Sequence, residues 1–178
     1  MSLVNGLPAH VLLVHFVIVL VPLTALAVTL GAIRPGVARR MGVTLPLLAL
    51  VTLLSVPLAT EAGEWLERHV DGGALVRRHA ELGDGLLPWA GGLFALAVVV
   101  WWAARRGTPP VSGSVSAPRA STGTPRLATP VRIAAVVLSL VVASGAVVDV
   151  YRIGDSGAKA AWQDGFSRAA TGGGGDDD

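Results

Sequence analysis

Four long apolar stretches constrain this chain more than any other feature of its sequence. A membrane-crossing helix needs about 20 consecutive, mostly apolar residues, and such stretches cover residues 8–32, 43–60, 86–104 and 133–150. Only the last contains an Asp, Glu, Lys or Arg residue, Asp149 near its end. The sequence therefore predicts an all-α, integral membrane four-helix bundle, in which the short second helix continues past Thr60.

The arginines predict how the bundle is oriented. Short Arg-rich loops stay on the cytoplasmic side of a membrane, and two connections are basic and free of acids: residues 33–42, with Arg34, Arg39 and Arg40, and residues 105–132, with Arg105, Arg106, Arg119, Arg126 and Arg132. Every Asp and Glu falls on the other side. We expect an up-down bundle with both termini outside, in a bacterial cytoplasmic membrane, since arginine replaces lysine at every basic position except Lys159.

The remaining segments predict little further structure. Residues 107–129 are rich in Pro, Ser, Thr and Gly, which is typical of a flexible linker within the four-helix domain of residues 1–162. Residues 163–178 end in a low-complexity acidic run and are expected to be a disordered tail. The absence of cysteine excludes disulfides, iron–sulfur clusters and covalent c-type haem. No cluster of basic and aromatic residues supports nucleic-acid binding, despite a pI near 9.9.

Every predicted helix brings ionisable groups to the outer end of the bundle, and His15 is the most informative of them. It lies about 10 Å into the first helix, where an ionisable group usually faces the bundle interior or a water-filled cavity. Two interpretations stay open. His15 is neutral and bonded to a helix carbonyl or to Asp149, or it ligates a metal ion or haem iron.

The spacing of the histidines limits the second interpretation. His10 and His15 are about 140° apart around a helix, so a shared site must recruit another helix, and His79 is the natural partner. Haem b held by two histidines fits a bundle. A non-haem site of His15, His79 and Glu64 also fits a transition metal ion. His10 would assist from the interface, Asp149 and Asp155 would orient the imidazoles, and His69 would be a solvated loop residue.

Three segments resemble a bacterial family of predicted membrane proteins, a domain of unknown function (number twenty-two thirty-one). They are Gly-Leu-Pro-Ala-His at 6–10 with Val-His-Phe at 14–16, the stretch from 62–65 through 78–83, and residues 150–158. The resemblance covers most of residues 5–162 except the linker. It implies a four-helix membrane protein whose matching histidines are His10, His15 and His79, with no established activity.

Two further implications of the resemblance point in opposite directions. Some relatives are fused to Rieske or other redox domains, which favours an electron-transfer setting. The position of Asp155 resembles one where relatives often carry histidine, which weakens a strict haem interpretation here.

Three functions remain open from the sequence. The leading hypothesis is a membrane protein that binds haem b or a metal ion and passes electrons to a membrane or periplasmic redox protein, or stores the metal; whether it is an enzyme stays open. The second is a non-catalytic subunit or scaffold with structural histidines. The third is a transporter or proton pathway through His15, Glu64 and Asp149, which is less favoured because transport sites lie near the bilayer midplane.

Overall fold

The computed structural model describes residues 3–4, 7–67, 74–106 and 129–171. Within them the chain forms two very short paired strands and six helices: β1 (Leu3–Val4), β2 (Leu7–Pro8), α1 (Ala9–Ile33), α2 (Pro35–Met41), α3 (Thr44–Glu67), α4 (Ala74–Asp84), α5 (Leu86–Arg106) and α6 (Thr129–Thr171).

The prediction of four transmembrane helices is confirmed. Four helical segments are long and apolar enough to cross a membrane: Leu12–Ile33, Thr44–Trp65, Ala74–Arg106 and Val131–Ala160. Helix α3 continues past Thr60 to Glu67, as the sequence predicted. Large apolar side chains are exposed along these segments, among them Val19, Leu54, Val99 and Leu138. Such a surface is stable in contact with lipid.

The third and fourth candidate spans also extend beyond their apolar stretches. The third candidate span includes α4 and so begins well before residue 86, and α6 continues to Thr171. The predicted tail therefore begins inside a helix, and its last part, residues 172–178, lies outside the described residues, as do residues 107–128 of the predicted linker. These extensions contain charged residues, which a helix can place in water once it has left the bilayer.

Two clusters of buried side chains hold the bundle together. Helix α1 packs against α3 and α6, and α5 packs against the same two helices. One cluster joins the middle of α1 and the first half of α5 to the later part of α3 and the middle of α6: Val17, Val21, Ala25, Val56, Ala59, Leu86, Ala90, Leu93, Ala143, Ala146 and Val150. The other joins the last turns of α1 and α5 to α2 and the start of α3: Ala27, Val28, Ala32, Ala38, Leu45, Ala49, Leu96, Ala97, Val100 and Ala104. We call the end of the bundle nearer the first cluster the histidine end, and the other the arginine end.

Small residues bring α5 and α6 into close contact. A Cβ on Gly92 would lie 3.0 Å from Val142 Cγ1, and a Cβ on Gly145 would overlap the ring of Trp89. Without a hydrophobic force between helices in lipid, such close packing is a main source of association. Gly91, by contrast, has no neighbour where its Cβ would stand.

A buried polar contact joins α1 to α3 in the middle of the bundle. Thr24 and Thr52 are both fully buried, and their hydroxyl oxygens are 2.7 Å apart. The Thr52 hydroxyl donates to Leu48 O at 2.9 Å, so the Thr24 hydroxyl is the donor between the two threonines. This chain of hydrogen bonds satisfies both hydroxyls where no water is at hand.

The turn between α1 and α3 is formed by the short helix α2. Pro35 occupies its first turn, where a missing N–H costs no helical hydrogen bond. Gly42 ends it with a positive φ of 54°, and its N–H donates to Ala38 O at 2.9 Å. A residue with a side chain is strained in this conformation, so Gly42 permits the tight reversal into α3.

Two glycines of the α5–α6 contact region allow a matched test of packing. Replacing a helical glycine with alanine normally stabilises a helix by about 1 kcal/mol. We expect Gly91→Ala to follow this rule and Gly145→Ala to lower the thermal stability in detergent, because its methyl group overlaps Trp89. The cost of such overpacking is about 1–3 kcal/mol.

A smaller residue at position 89 should compensate for the added methyl group at position 145. Trp89→Leu in the Gly145→Ala background should recover part of the lost melting temperature. Equal stability of the Gly91→Ala and Gly145→Ala variants would show that α5 and α6 do not approach each other at Gly145.

Candidate functional site

His10, in the first turns of α1, is fixed by a main-chain carbonyl of α3. Its Nδ1 lies 3.0 Å from Ala59 O, and the side chain is half-buried. A carbonyl oxygen only accepts hydrogen bonds, so Nδ1 carries the proton and donates. In the neutral ring Nε2 then has a lone pair and no hydrogen.

His79, on α4, is fixed in the same way by α6. Its Nδ1 lies 3.1 Å from Ile153 O and 3.0 Å from Ser156 Oγ. The Ser156 hydroxyl itself donates to Ile153 O at 2.8 Å, so its oxygen is an acceptor for the imidazole N–H. Nε2 of His79 is again the nitrogen that keeps a lone pair when the ring is neutral.

Each histidine packs on a glycine that follows its acceptor carbonyl by one helical turn. A Cβ on Gly63 would lie 3.0 Å from Cε1 of His10, and a Cβ on Gly157 would lie 2.9 Å from Cε1 of His79. The absence of a side chain lets each ring reach the carbonyl four residues earlier in the helix. We call each such pair, Ala59 with Gly63 and Ile153 with Gly157, a histidine seat.

The two seated rings are neighbours. Their centroids are 6.1 Å apart and their planes meet at 84°. His10 and His79 lie on α1 and α4, while their acceptors lie on α3 and α6. Four helices thus fix the position of two imidazoles at the histidine end.

The two predicted orienting carboxylates have other surroundings. Oδ2 of Asp149 is buried and, among the described residues, has no hydrogen-bond partner. It lies one helical turn before Ile153, beside Gly85 at the junction of α4 and α5. Asp155 forms an ion pair with Lys159 Nζ at 2.7 Å, and both side chains are about half exposed. In the described structure the imidazoles of His10 and His79 are therefore oriented by main-chain carbonyls and not by these carboxylates.

The structure places His15 and Glu64 away from the expected positions. Both side chains are exposed on the surface of the bundle, so the expectation that His15 faces the interior is not met. The reason is the angle of about 140° between His10 and His15, since His10 is the one that faces α3. Within the described ranges no three His, Asp or Glu side chains form a group that could hold a metal ion. The predicted three-ligand site of His15, His79 and Glu64 is thus not supported.

The sequence predicted His10 and His79 as candidate ligands but did not predict the role of the two glycines beneath them. Gly63 and Gly157 both stand inside long helices, α3 and α6, where glycine costs about 1 kcal/mol relative to alanine. A helical glycine usually has a packing or functional reason. This cost was the signal in the sequence that another group approaches the backbone there.

The chain matches a known protein family over most of its length. Residues 6–170 match the family described as predicted membrane protein (DUF2231), and the chain belongs to it. The resemblance noted in the sequence is therefore confirmed, and the chain is a membrane protein of that family. No curated protein and no solved structure matches the chain.

The seat beneath His79 is testable with two glycines of the same helix. Gly157→Ala should displace the ring and break the Nδ1 hydrogen bond, whereas Gly154→Ala meets no neighbour. A broken hydrogen bond costs about 1 kcal/mol, so Gly157→Ala should melt below Gly154→Ala in detergent. Nitrogen-15 spectra of labelled histidine should show one Nδ1–H tautomer signal lost only in the Gly157→Ala variant. Identical spectra for both variants would refute the seat.

Proposed function

We propose that His10 and His79 form a ligand site for a transition-metal centre, and that haem b is the centre that suits it. The protein would then transfer electrons in the bacterial cytoplasmic membrane. The observation that carries this proposal is the shared hydrogen-bond pattern of the two rings. Each Nδ1 donates to a main-chain carbonyl. Metal-binding histidines characteristically donate their other ring N–H to a carbonyl or carboxylate, which fixes the ring and raises its basicity.

The number of protein ligands favours haem over a free metal ion. A bound ion such as zinc takes three or four protein ligands, and no group of three is present in the part of the chain that the structure describes. Haem would need only one or two side chains of the protein, and His10 and His79 would hold it. When bound, haem supplies one-electron redox chemistry.

The separation of the rings would allow both imidazoles to hold one metal centre. Their centroids are 6.1 Å apart, and ligand nitrogens sit about 2 Å from a metal. The seats on α3 and α6 would hold both imidazoles in place before a ligand arrives, which lowers the cost of binding.

We also propose that the bundle is up-down with both termini outside. Two observations support this topology. The two buried clusters combine opposite halves of α1 and α3, and the start of α5 packs on residues 143–150 of α6 while the end of α5 packs nearer Val136. Arginines without acidic neighbours in the chain occur at the arginine end, which the positive-inside rule assigns to the cytoplasm. The histidine end would then face a periplasmic or membrane redox partner.

A second candidate function is a non-catalytic subunit or scaffold. The specific observation in its favour is that the seats already give both histidines a structural role. His10 ties α1 to α3, and His79 ties α4 to α6, without any ligand. In this case the exposed apolar faces would bind another membrane protein.

An absorption spectrum tests the haem proposal and separates the candidate ligands. The protein, expressed with added haem precursor and purified in mild detergent, should show a Soret band that shifts on reduction. We expect His10→Ala and His79→Ala each to abolish or strongly reduce the band, and His15→Ala to retain it, because only the first two are seated together.

Other outcomes of this experiment are equally informative. A band lost in His15→Ala but kept in His10→Ala would restore the ligand set expected from the sequence. A folded protein without colour or metal, after growth with haem precursor and added metals, would refute the metal-centre proposal. A stoichiometric partner that co-purifies with such a colourless protein would establish the scaffold function.

The absence of cysteine makes the orientation directly testable. A membrane-impermeant maleimide added to intact spheroplasts should label Ser2→Cys, near the amino terminus, and leave Ser114→Cys, in the second basic connection, unlabelled until the membrane is lysed. The reverse pattern would overturn the proposed orientation.

A further inference from the structure

The arginine end contains a second, separate feature. An open cavity of about 460 Å³ lies where α2, the start of α3 and the end of α5 meet. We call it the arginine groove, and its lining combines two arginines with small and apolar side chains: Ala38, Arg39, Gly42, Val43, Trp101, Ala104 and Arg105.

We propose that the arginine groove binds the phosphate of an anionic membrane phospholipid. The proposal does not depend on the histidine site or on the proposed electron transfer. It rests on three observations: the charge of the groove, the geometry of its aromatic and apolar walls, and its place at the end of the membrane-crossing segments.

The charge of the groove is not balanced by acids in the neighbouring sequence. Arg39 and Arg105 line it, and Arg40 and Arg106 stand next to them in sequence. No Asp or Glu occurs anywhere in residues 1–60 or 85–148, which include α1, α2, the start of α3 and all of α5. The groove therefore carries a net positive charge, which favours binding of an anion. Arginine suits phosphate because its planar fork donates two parallel hydrogen bonds.

The aromatic residues fix the arginines of α5 at the level of the membrane surface. The Arg105 guanidinium lies 5.0 Å from the centroid of the Trp101 ring, and that of Arg106 lies 3.4 Å from the Trp102 ring. Tryptophan prefers the interface between headgroups and hydrocarbon. Cation–π contact holds each guanidinium there, so less ordering is needed when a headgroup binds.

The apolar part of the groove matches the rest of a lipid. Ala38 and Ala104 are buried in its floor, and Val43 is exposed at its side. Val43 lies just before α3 and begins a row that continues along this helix with the exposed residues Leu47, Val51 and Leu54. A phosphate between Arg39 and Arg105 would leave an acyl chain free to lie along this row. Inorganic phosphate would use only the two arginines, so a lipid makes the fuller use of the groove.

Basic pockets between membrane helices at the cytoplasmic side are recognised sites for acidic lipid headgroups. The groove satisfies that description if the bundle is oriented as proposed, but the chemistry of binding is the same on either side of the membrane. The test can therefore be made on the purified protein in detergent.

The test compares the melting temperature of the full chain with three additives: short-chain phosphatidylglycerol, short-chain phosphatidylcholine, and inorganic phosphate at the same concentration. We expect phosphatidylglycerol to raise the melting temperature well above the other two. The double variant Arg39→Gln, Arg105→Gln should lose at least half of that rise. The matched variant Arg77→Gln, Arg78→Gln removes the same charge from α4 and should keep it.

A second pair of variants keeps the test decisive if the arginine variant does not fold. Val43→Glu places a carboxylate in the groove at an exposed position, and Thr44→Glu places the same charge on the neighbouring exposed residue outside the lining. Only Val43→Glu should reduce the effect of phosphatidylglycerol.

Several results would overturn the proposal. An equal rise with phosphatidylcholine would show that the headgroup charge is irrelevant. An equal rise with inorganic phosphate would assign the groove to a soluble anion. A full rise with phosphatidylglycerol in both groove variants, Arg39→Gln, Arg105→Gln and Val43→Glu, would place lipid binding elsewhere.

Discussion

Backbone hydrogen bonds cannot be left to water inside a bilayer, and the rest of this structure follows from that constraint. Each unpaired N–H or C=O in hydrocarbon costs several kcal/mol, so the spanning segments are helices. A helical carbonyl nevertheless has two lone pairs and can accept a second hydrogen bond. The side chains of His10, His79 and Thr52 use this remaining capacity, and each donates to a carbonyl of a helix. Two of these bonds, from the histidines, join different helices.

Helices must approach closely for this to happen, and glycine makes the approach possible. Gly63 and Gly157 admit imidazole rings to the backbone, and Gly92 and Gly145 admit Val142 and Trp89. The same residue type thus serves ordinary packing near the bundle centre and side-chain hydrogen bonding at the histidine end. Only the identity of the approaching group differs.

Length and hydropathy were sufficient to predict the membrane spans, because both are read from one continuous segment and do not depend on which helices it contacts. The continuation of α3 beyond Thr60 was predictable for the same reason. The extension of α6 to Thr171 was not, since residues 161–171 mix polar, charged and apolar residues and form no apolar stretch. The residues of the candidate site were harder to predict than the helices. His10 and His15 lie on one helix, and which of them faces α3 depends on the rotation of α1 in the bundle. Apolar residues surround α1 on all sides, so the sequence pattern does not determine that rotation.

The tautomer imposed by the seats has a chemical consequence for anything that binds there. With Nδ1–H committed to Ala59 O and Ile153 O, each ring has one basic atom left, Nε2. A proton and an electrophilic ligand must compete for that same lone pair. Both seats therefore present the same nitrogen to any ligand, and neither ring can change tautomer without breaking its hydrogen bond to a helix carbonyl.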